Sequence, residues 1–327
     1  NEMFVSVGVR FEANVEALNM VETAGNYSKH RRVPYIIEEK NVLKIIYVPA
    51  VSGESLAHAF QELLAEEAIT EKQKVCRKCL RGEFLKSMDE ENAAEKFDGG
   101  KLPSDAEKLE EGIVKNCTVE DVGGFLYAGK PPVKRTSAFQ VSYALPIKKI
   151  AIYSTVEPQL HARHAIIMET GKKTGEEREG AAEQMIYYVE TGTAIYGFTF
   201  NLDLRAIGLS AISGKPIISE DELKARRRAA VKSLARMLSS TQFGAKLSRF
   251  LPLGGIVSLA VSVTEKPFTV TSPIYEGFED MTLKRLEKIA EEFNEQYRYY
   301  VLGRNGLETP EHVMTQLIQY LKERNIF

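Results

Sequence analysis

Tryptophan is absent from the 327 residues, and histidine and cysteine number only five and three. Three cysteines exclude a disulfide framework and suit a reducing compartment. No apolar run approaches the roughly 18 residues that read as a membrane span, and none has the layout of a signal peptide. A cytoplasmic protein is therefore expected. G-x-x-x-x-G-K-[ST] and H-E-x-x-H are both missing, which leaves P-loop and zincin chemistry unsupported. Ser52-Gly53-Glu54 is not a nucleophile elbow. No internal repeat and no low-complexity linker breaks the chain.

What is present suits a core-forming protein. Hydrophobic residues make up 44% of the chain, and its length suffices for one large domain or two small ones. Net charge is −2, but the charges are segregated. Residues 83–111 hold ten acids against four lysines, whereas 223–264 hold eight basic residues and no acid. Residues 122–156 hold five basic residues, again without an acid. Opposite blocks imply distinct surfaces, and they would let copies of the chain meet head to tail.

The stretch Asn19 to His58 organises the rest. A polar loop carries Asn19, Asn26, Tyr27, Ser28, Lys29, His30, Arg31 and Arg32. A strand follows at 42–48, then an amphipathic helix at 53–68 with Leu56, Phe60, Leu63 and Leu64 on one face. Ser52 is a candidate N-cap, and Gly53 would let the backbone approach a ligand closely. The N–H groups of that first turn favour phosphate, so a basic loop beside them is raw material for a nucleic-acid backbone site. Glu54 stands one turn from His58, and the two are expected to pair.

Further along, 3–11 alternates as a strand with Val5, Val7, Val9 and Phe11 on a core face. Residues 70–117 read as a helical, acidic insertion. Its Cys76-Arg-Lys-Cys79 has half the spacing of a zinc site, but no second pair follows, and Cys117 alone does not complete four ligands. Plain thiols or a disulfide are expected, with no metal and no other cofactor. Lys130, Lys134, Arg135, Thr136 and Ser137 then offer cations and hydroxyls in a row along a segment held extended by paired prolines. Residues 159–169 and 184–200 read as long strands of a hairpin whose connection is too polar to pack. His161 and Arg163 share one of its faces. Ile166, Ile167 or Met168 could supply an apolar wedge between bases, while at least two of the three are expected to fill the core. Ser219 caps a helix to about 240, on which Lys224, Arg228, Lys232 and Arg236 form a basic stripe beside an inner face of Leu223, Arg227, Ala230, Val231, Leu234 and Leu238. The acid-free run continues through Lys246 and Arg249. A strand at 255–263 and helices near 280–297 and 310–324 close the chain.

Several of these segments carry a resemblance. V-E-T-A-G-N-Y-S-K-H-R followed by V-P-A-V-S-G-E-S-L-A-H-A, then D-V-G-G-F-L-Y-A-G-K-P-P-V-K-R-T-S, H-A-R-H and F-G-A-K-L-S-R-F-L-P, is similar to the archaeal DevR-type CRISPR-associated family. The motifs recur in order over about residues 20–252. The resemblance implies an α+β fold, a ferredoxin-like, RNA-recognition-motif-like βαββαβ core with a thumb hairpin at about 165–188 and a helical insertion at about 70–117, all in a single RNA-binding domain over 1–327. It implies the repeating backbone subunit of the type I-A Cascade interference complex. Such a subunit polymerises along CRISPR RNA as a head-to-tail helical filament, reaches target DNA through the guide, and meets the small, large and helicase or nuclease subunits. No base-stacking aromatics of the usual RNA-recognition type are obvious, in keeping with a protein that grips backbone and leaves bases free.

On this reading Lys29, Arg31, Arg135, Lys246 and Arg249 neutralise phosphates. Asn19, His30, His161 and Arg163 bond phosphate or the 2′-hydroxyl. Ser52 and Gly53 present backbone N–H groups, and Ser28, Glu54, His58, Lys134, Thr136 and Ser137 line the same strip. No catalytic residue is expected. The alternative is a metal- or His-dependent endoribonuclease that processes CRISPR RNA, whose cleavage would vanish in His161→Ala.

Overall fold

The structure is a computed structural model that describes residues 3–16, 23–24, 27–165, 183–244 and 255–327, of which 23–24, 27, 161–165 and 183–185 are described by backbone alone. Its centre is strand β1 (Phe4–Glu16), longer than the alternation in the sequence suggested. Val5, Val7, Val9 and Phe11 are fully buried, as their spacing predicts. The other face is covered too. A Cβ on Gly8 would meet the Phe278 ring at 3.0 Å and Val270 at 3.1 Å, so the layer behind packs closely onto the glycine.

The main-chain order runs through hairpin strands β2 (Arg32–Glu39) and β3 (Val42–Pro49) to helix α1 (Gly53–Thr70). An inserted region follows with α2 (Arg77–Leu80), α3 (Ala106–Asn116) and α4 (Thr118–Gly123). Then come β4 (Val133–Arg135), β5 (Phe139–Val141), β6 (Thr155–Ala165) and β7 (Glu183–Asp203). Helix α5 (Glu220–Ser240), strand β8 (Gly255–Thr264), helix α6 (Phe278–Phe293), strand β9 (Tyr297–Val301) and helix α7 (Pro310–Glu323) complete it. The class is α+β. The main sheet is antiparallel around β1, which pairs β8 on one side and β7 on the other, from Phe4↔Asp203 to Glu16↔Thr191. Strand β5 extends the sheet beyond β7, and β9 extends it beyond β8.

Helices α1 and α5 pack together over one face of this sheet. Leu56, Phe60 and Leu64 of α1 are buried there, and the Phe60 ring lies 4.6 Å from Phe139 and 4.9 Å from Phe200. Local chemistry fixes both helix starts. The Ser52 hydroxyl accepts from the Ser55 N–H at 3.1 Å, and Ser219 forms a reciprocal capping box with Glu222. Strand β7 outruns its pairing with β1 and continues as a hairpin with β6, His161 opposite Tyr187 and Arg163 opposite Met185. The arm expected from the sequence is thus present over its described strands. Its connection, with Ile166, Ile167 and Met168, lies outside the described residues.

The inserted region has its own core of Leu85, Leu109, Ile113, Val114, Phe125, Tyr127 and Val133, against Leu223 of α5. A buried ionic network fastens it to the main body. Asp121 Oδ1 accepts from Arg135 Nη2 at 2.6 Å, and Oδ2 accepts from Arg226 Nη1 at 2.8 Å. Arg135 also reaches Glu110 at 2.9 Å and the carbonyls of Ala206 and Leu209. Arg135 is therefore not a phosphate ligand. Residues alternate across a strand, so Lys134 and Thr136 face water while Arg135 turns inward. On α5 the fully buried guanidinium is that of Arg226, whereas Arg227 sits at the edge, donating to the Leu204 carbonyl.

The basic stripe of α5 is likewise spoken for. Arg228 and Lys232 each hold Glu71 at 2.7 Å, Arg236 holds Glu67 at 3.0 Å, and Lys224 donates to Asn325 at 2.8 Å. These cations pin α5 to the end of α1 and to the C-terminal segment. The acidic block is not one open surface either, because Glu110 is fully buried.

Removing one member of a buried ion group strands its partners. Asp121→Ala should therefore cost about 3–5 kcal/mol, read as a lowered urea midpoint. Lys134→Ala, at an exposed neighbouring position, should leave that midpoint within about 0.5 kcal/mol of the native chain.

Candidate nucleic-acid interface

Three segments far apart in sequence meet beside the start of α1. The Ala50 N–H donates to the Arg31 carbonyl at 3.0 Å, tying the basic loop to the end of β3. Val51 and Ala144 form a two-way bridge at 3.0 and 2.9 Å, tying the helix start to the segment after β5. A Cβ on Gly53 would stand 2.9 Å from the Val141 carbonyl. Gly53 is thus explained by a close approach of the protein's own backbone, not of a ligand.

On this platform Arg31 Nη1 donates to the Tyr143 hydroxyl at 3.2 Å, with the guanidinium 5.8 Å from that ring's centroid. Lys29 is exposed two residues earlier, and Glu54 is exposed in the first turn of α1. Arg32 pairs with Glu190 at 3.4 Å. Sequence reading missed Tyr143 and Glu190. Each lies more than a hundred residues from its partner, and nothing local marks either one as a partner for arginine.

His30 departs from expectation. It is buried, its backbone N–H donates to Glu190 Oε2 at 2.7 Å, and its Nδ1 lies 2.8 Å from the Arg31 carbonyl. A Cβ on Gly192 would stand 2.7 Å from its Nε2. The ring shapes the loop from inside and is not offered to a ribose or phosphate. His58 also differs. Its Nε2 pairs with Glu62 at 3.1 Å, not with Glu54, and its ring lies 5.0 Å from Phe84 of the inserted region. Ser52 is buried as a cap, and Ser137 bonds the Phe139 N–H and the Val122 carbonyl.

The structure thus brings Arg31 and Glu54 to one helix start, sets Ser28 against Val189 of β7 with Lys29 exposed beside it, and leaves Lys134 exposed on β4 and Thr136 exposed just after it. It withdraws His30, Ser52, Gly53, Arg135 and Ser137 into structural contacts. Asn19, Lys246 and Arg249 lie outside the described residues, and for His161 and Arg163 only the strand is described.

The thiols come together. Cys76, Cys79 and Cys117 are free and buried, their sulfurs all within 4.8 Å of one another. Glu120 lies against this trio, with Oε1 3.2 Å from the Cys79 sulfur.

Comparison with known proteins agrees with the motifs. Residues 7–283 match the family described as "CRISPR-associated negative auto-regulator DevR/Csa2". Two proteins of Saccharolobus solfataricus are similar over nearly their whole length. The "CRISPR-associated aCascade subunit Cas7/Csa2 2" is 35% identical, with 94% of this chain and 95% of that one covered. The "CRISPR-associated protein Cas7/Csa2 1" is 34% identical, with 96% and 98% covered. A "CRISPR-associated protein Cas7/Cst2/DevR" of Methanocaldococcus jannaschii is 29% identical, with 98% and 100% covered. A chain of a solved "CRISPR RNA-guided surveillance complex, pre-nicking" is 12% identical at a TM-score of 0.45, with 97% of this chain and 99% of that chain covered. These relatives define a class, the CRISPR-associated proteins of Cas7 type. Within it, the chain belongs to the DevR/Csa2 family.

Burial holds the His30 pKa below the ordinary 6.5. As pH falls below 6.5, the unfolded chain takes up a proton that the folded ring resists, so the stability present near neutrality is lost. Unfolding free energy should therefore drop on acidification from about pH 7 to about pH 5, and drop less in His30→Gln.

Proposed function

We propose that the chain is a non-catalytic CRISPR RNA-binding subunit that polymerises along the guide RNA as the backbone of a type I-A interference complex. One observation carries this reading. Arg31 is fixed beside the start of α1 by the Ala50 N–H on its carbonyl and the Tyr143 hydroxyl on its guanidinium, with exposed Lys29 two residues before it, and the helix N–H groups add to the positive potential. Cations on a rigid platform suit a ribose-phosphate strand that is held by backbone while its bases pair with DNA. Lys134 and Thr136 are exposed and add further polar groups to this reading. The guanidinium of Arg31 against Tyr143 is already ordered, which lowers the entropy lost on meeting a phosphate. The exposed carboxylate of Glu54 opposes a phosphate placed directly at the helix end and directs the strand toward the loop.

A ferredoxin-like core fits the element order. Strand β1, helix α1, strand β5, strand β7, helix α5 and strand β8 follow one another, and the sheet runs β8–β1–β7–β5. The long hairpin of β6 and β7 is the thumb in this reading, and a cytoplasmic location accompanies it.

Self-association has a surface to use. On hairpin β2–β3 the inward residues Tyr35, Ile37 and Val48 are buried. The outward face carries Ile36 at 56%, Leu43 at 73%, Ile45 at 69% and Tyr47 at 72% exposure. Ile36 and Ile45 are direct cross-strand neighbours. A single apolar face of this kind is costly in water and marks an interaction site. A neighbouring copy is the occupant that a filament requires, with the other subunits of the complex at its ends.

Two measurements test the reading. Each phosphate contact on single-stranded RNA contributes about 0.7 to the slope of log affinity against log salt. The double change Lys29→Ala, Arg31→Ala should flatten that slope by roughly 1.4, with little dependence on base sequence. An unchanged slope would remove the loop from the binding surface. Sizing of the native chain should show growth into long assemblies only with long CRISPR RNA, and Ile45→Glu should reduce these to single bound copies. Cleavage of the RNA by the native chain would overturn the non-catalytic assignment.

A further inference from the structure

The region inserted after α1 carries a second constellation that RNA binding does not use. Cys76 and Cys79 bracket the single turn of α2, and the Cys79 N–H donates to the Cys76 sulfur at 3.4 Å. Cys117 reaches them because the chain is stapled there. Both the N–H and the hydroxyl of Thr118 donate to the Lys74 carbonyl, at 2.8 and 2.9 Å. That staple sets the residue before Thr118 beside the residues after Lys74. Glu120, within α4, brings its carboxylate against the Cys79 thiol.

The surroundings are dry. Exposure is 8% for Cys76, 1% for Cys79 and zero for Cys117 and Glu120. Glu120 Oε1 is engaged by the Leu85 N–H at 2.8 Å and the Cys79 thiol at 3.2 Å, and the buried Lys96 ammonium lies 3.5 Å away. Its second oxygen, Oε2, is buried and has no hydrogen-bond partner among the described residues. An unpartnered carboxylate oxygen in a dry interior is costly, and a cation is one group that answers it.

We propose that Cys76, Cys79 and Cys117 bind one Zn2+ ion, with Glu120 supplying the fourth ligand. Zinc suits thiolates, takes four ligands tetrahedrally and needs sulfurs about 3.8 Å apart for bonds of about 2.3 Å. The trio already lies within 4.8 Å, so closure is a matter of side-chain rotation. On binding, each thiol gives up its proton to solvent as its sulfur bonds the ion. The ion and the Lys96 ammonium then offset most of the negative charge gathered there. Four protein ligands in an enclosed site leave no open position for substrate. The role is structural, a clamp that joins α2, α4 and the segment after α1.

The test uses the full chain, purified without a tag and under reducing conditions. Metal analysis after gel filtration should find about one zinc per chain, whether as isolated or after incubation with excess Zn2+ and desalting. Co2+ in its place should give strong thiolate charge-transfer absorption and the intense visible bands of a tetrahedral site. Cys76→Ser, Cys79→Ser and Cys117→Ser should each lose the retained ion. Glu120→Gln should keep the thiolate absorption while shifting the visible bands. Chelation should lower the melting temperature of the native chain and leave that of Cys117→Ser unmoved. Failure of the native chain to retain any ion overturns the proposal. Thiol titration of chain purified without reductant then tells which state replaces it: three reactive thiols in denaturant mean plain cysteines, and one means a disulfide. The ion count and the cobalt spectrum are read on the native chain, so they decide the matter even where a serine variant fails to fold.

Discussion

The carboxylate of Asp121, held between the guanidinium groups of Arg135 and Arg226, is the contact on which the arrangement depends. Each of the three side chains comes from a different part of the chain: the inserted helices, the strand after them and the long helix α5. All three are out of water, and a charge in such a place is tolerable only when its partners are fixed. Glu110 shares Arg135 and accepts from Ser210 and the Ala211 N–H, so the loop after β7 is drawn into the same contact. The inserted region is thereby a rigid extension of the body, and the strand that leaves Arg135 toward β5 starts from a fixed point. Everything at the start of α1 is built on that strand.

A second consequence concerns where positive charge is available. Counting cations along the sequence gives a basic helix and a basic strip. The folded chain uses most of that charge internally. Arg228, Lys232 and Arg236 bind acids at the end of α1, and Arg226 and Arg135 bind Asp121. The exposed cations near the helix start are fewer, so on the proposed reading a modest number of them would carry the affinity for a phosphate backbone. A chain with net charge near zero can still hold RNA in this way, because the field is local and not a property of the whole surface.

How much of this was legible depends on distance along the chain. Strands and helices set by local pattern were readable: the alternation of Val5, Val7, Val9 and Phe11, the Leu56, Phe60 and Leu64 face, and the caps at Ser52 and Ser219. The basic loop and the helix start were rightly read as neighbours. The direction of a side chain was not readable where two neighbours differ only in strand parity, as with Lys134 and Arg135. Nor was the identity of the inward cation on α5, where Arg226 and Arg227 are adjacent and only the partner Asp121 distinguishes them. His30 looked like a ligand because histidine beside arginine suggests phosphate, but Gly192 and Glu190 close over it. The thiol cluster was hidden for the same reason, since the Thr118–Lys74 staple is invisible to spacing.

Strand β7 is 21 residues long and unbroken from Glu183 to Asp203. At about 3.3 Å per residue it measures close to 70 Å. One half is the middle of the central sheet and the other half is the hairpin arm. No hinge divides the two, so the arm behaves as a lever bolted into the core. A push at its far end is resisted by the hydrogen-bond ladder to β1. The basic loop is joined to this same strand, Tyr27 and Ser28 pairing with Tyr188 and Val189, so on the proposed reading loop and arm would meet one ligand at a set spacing.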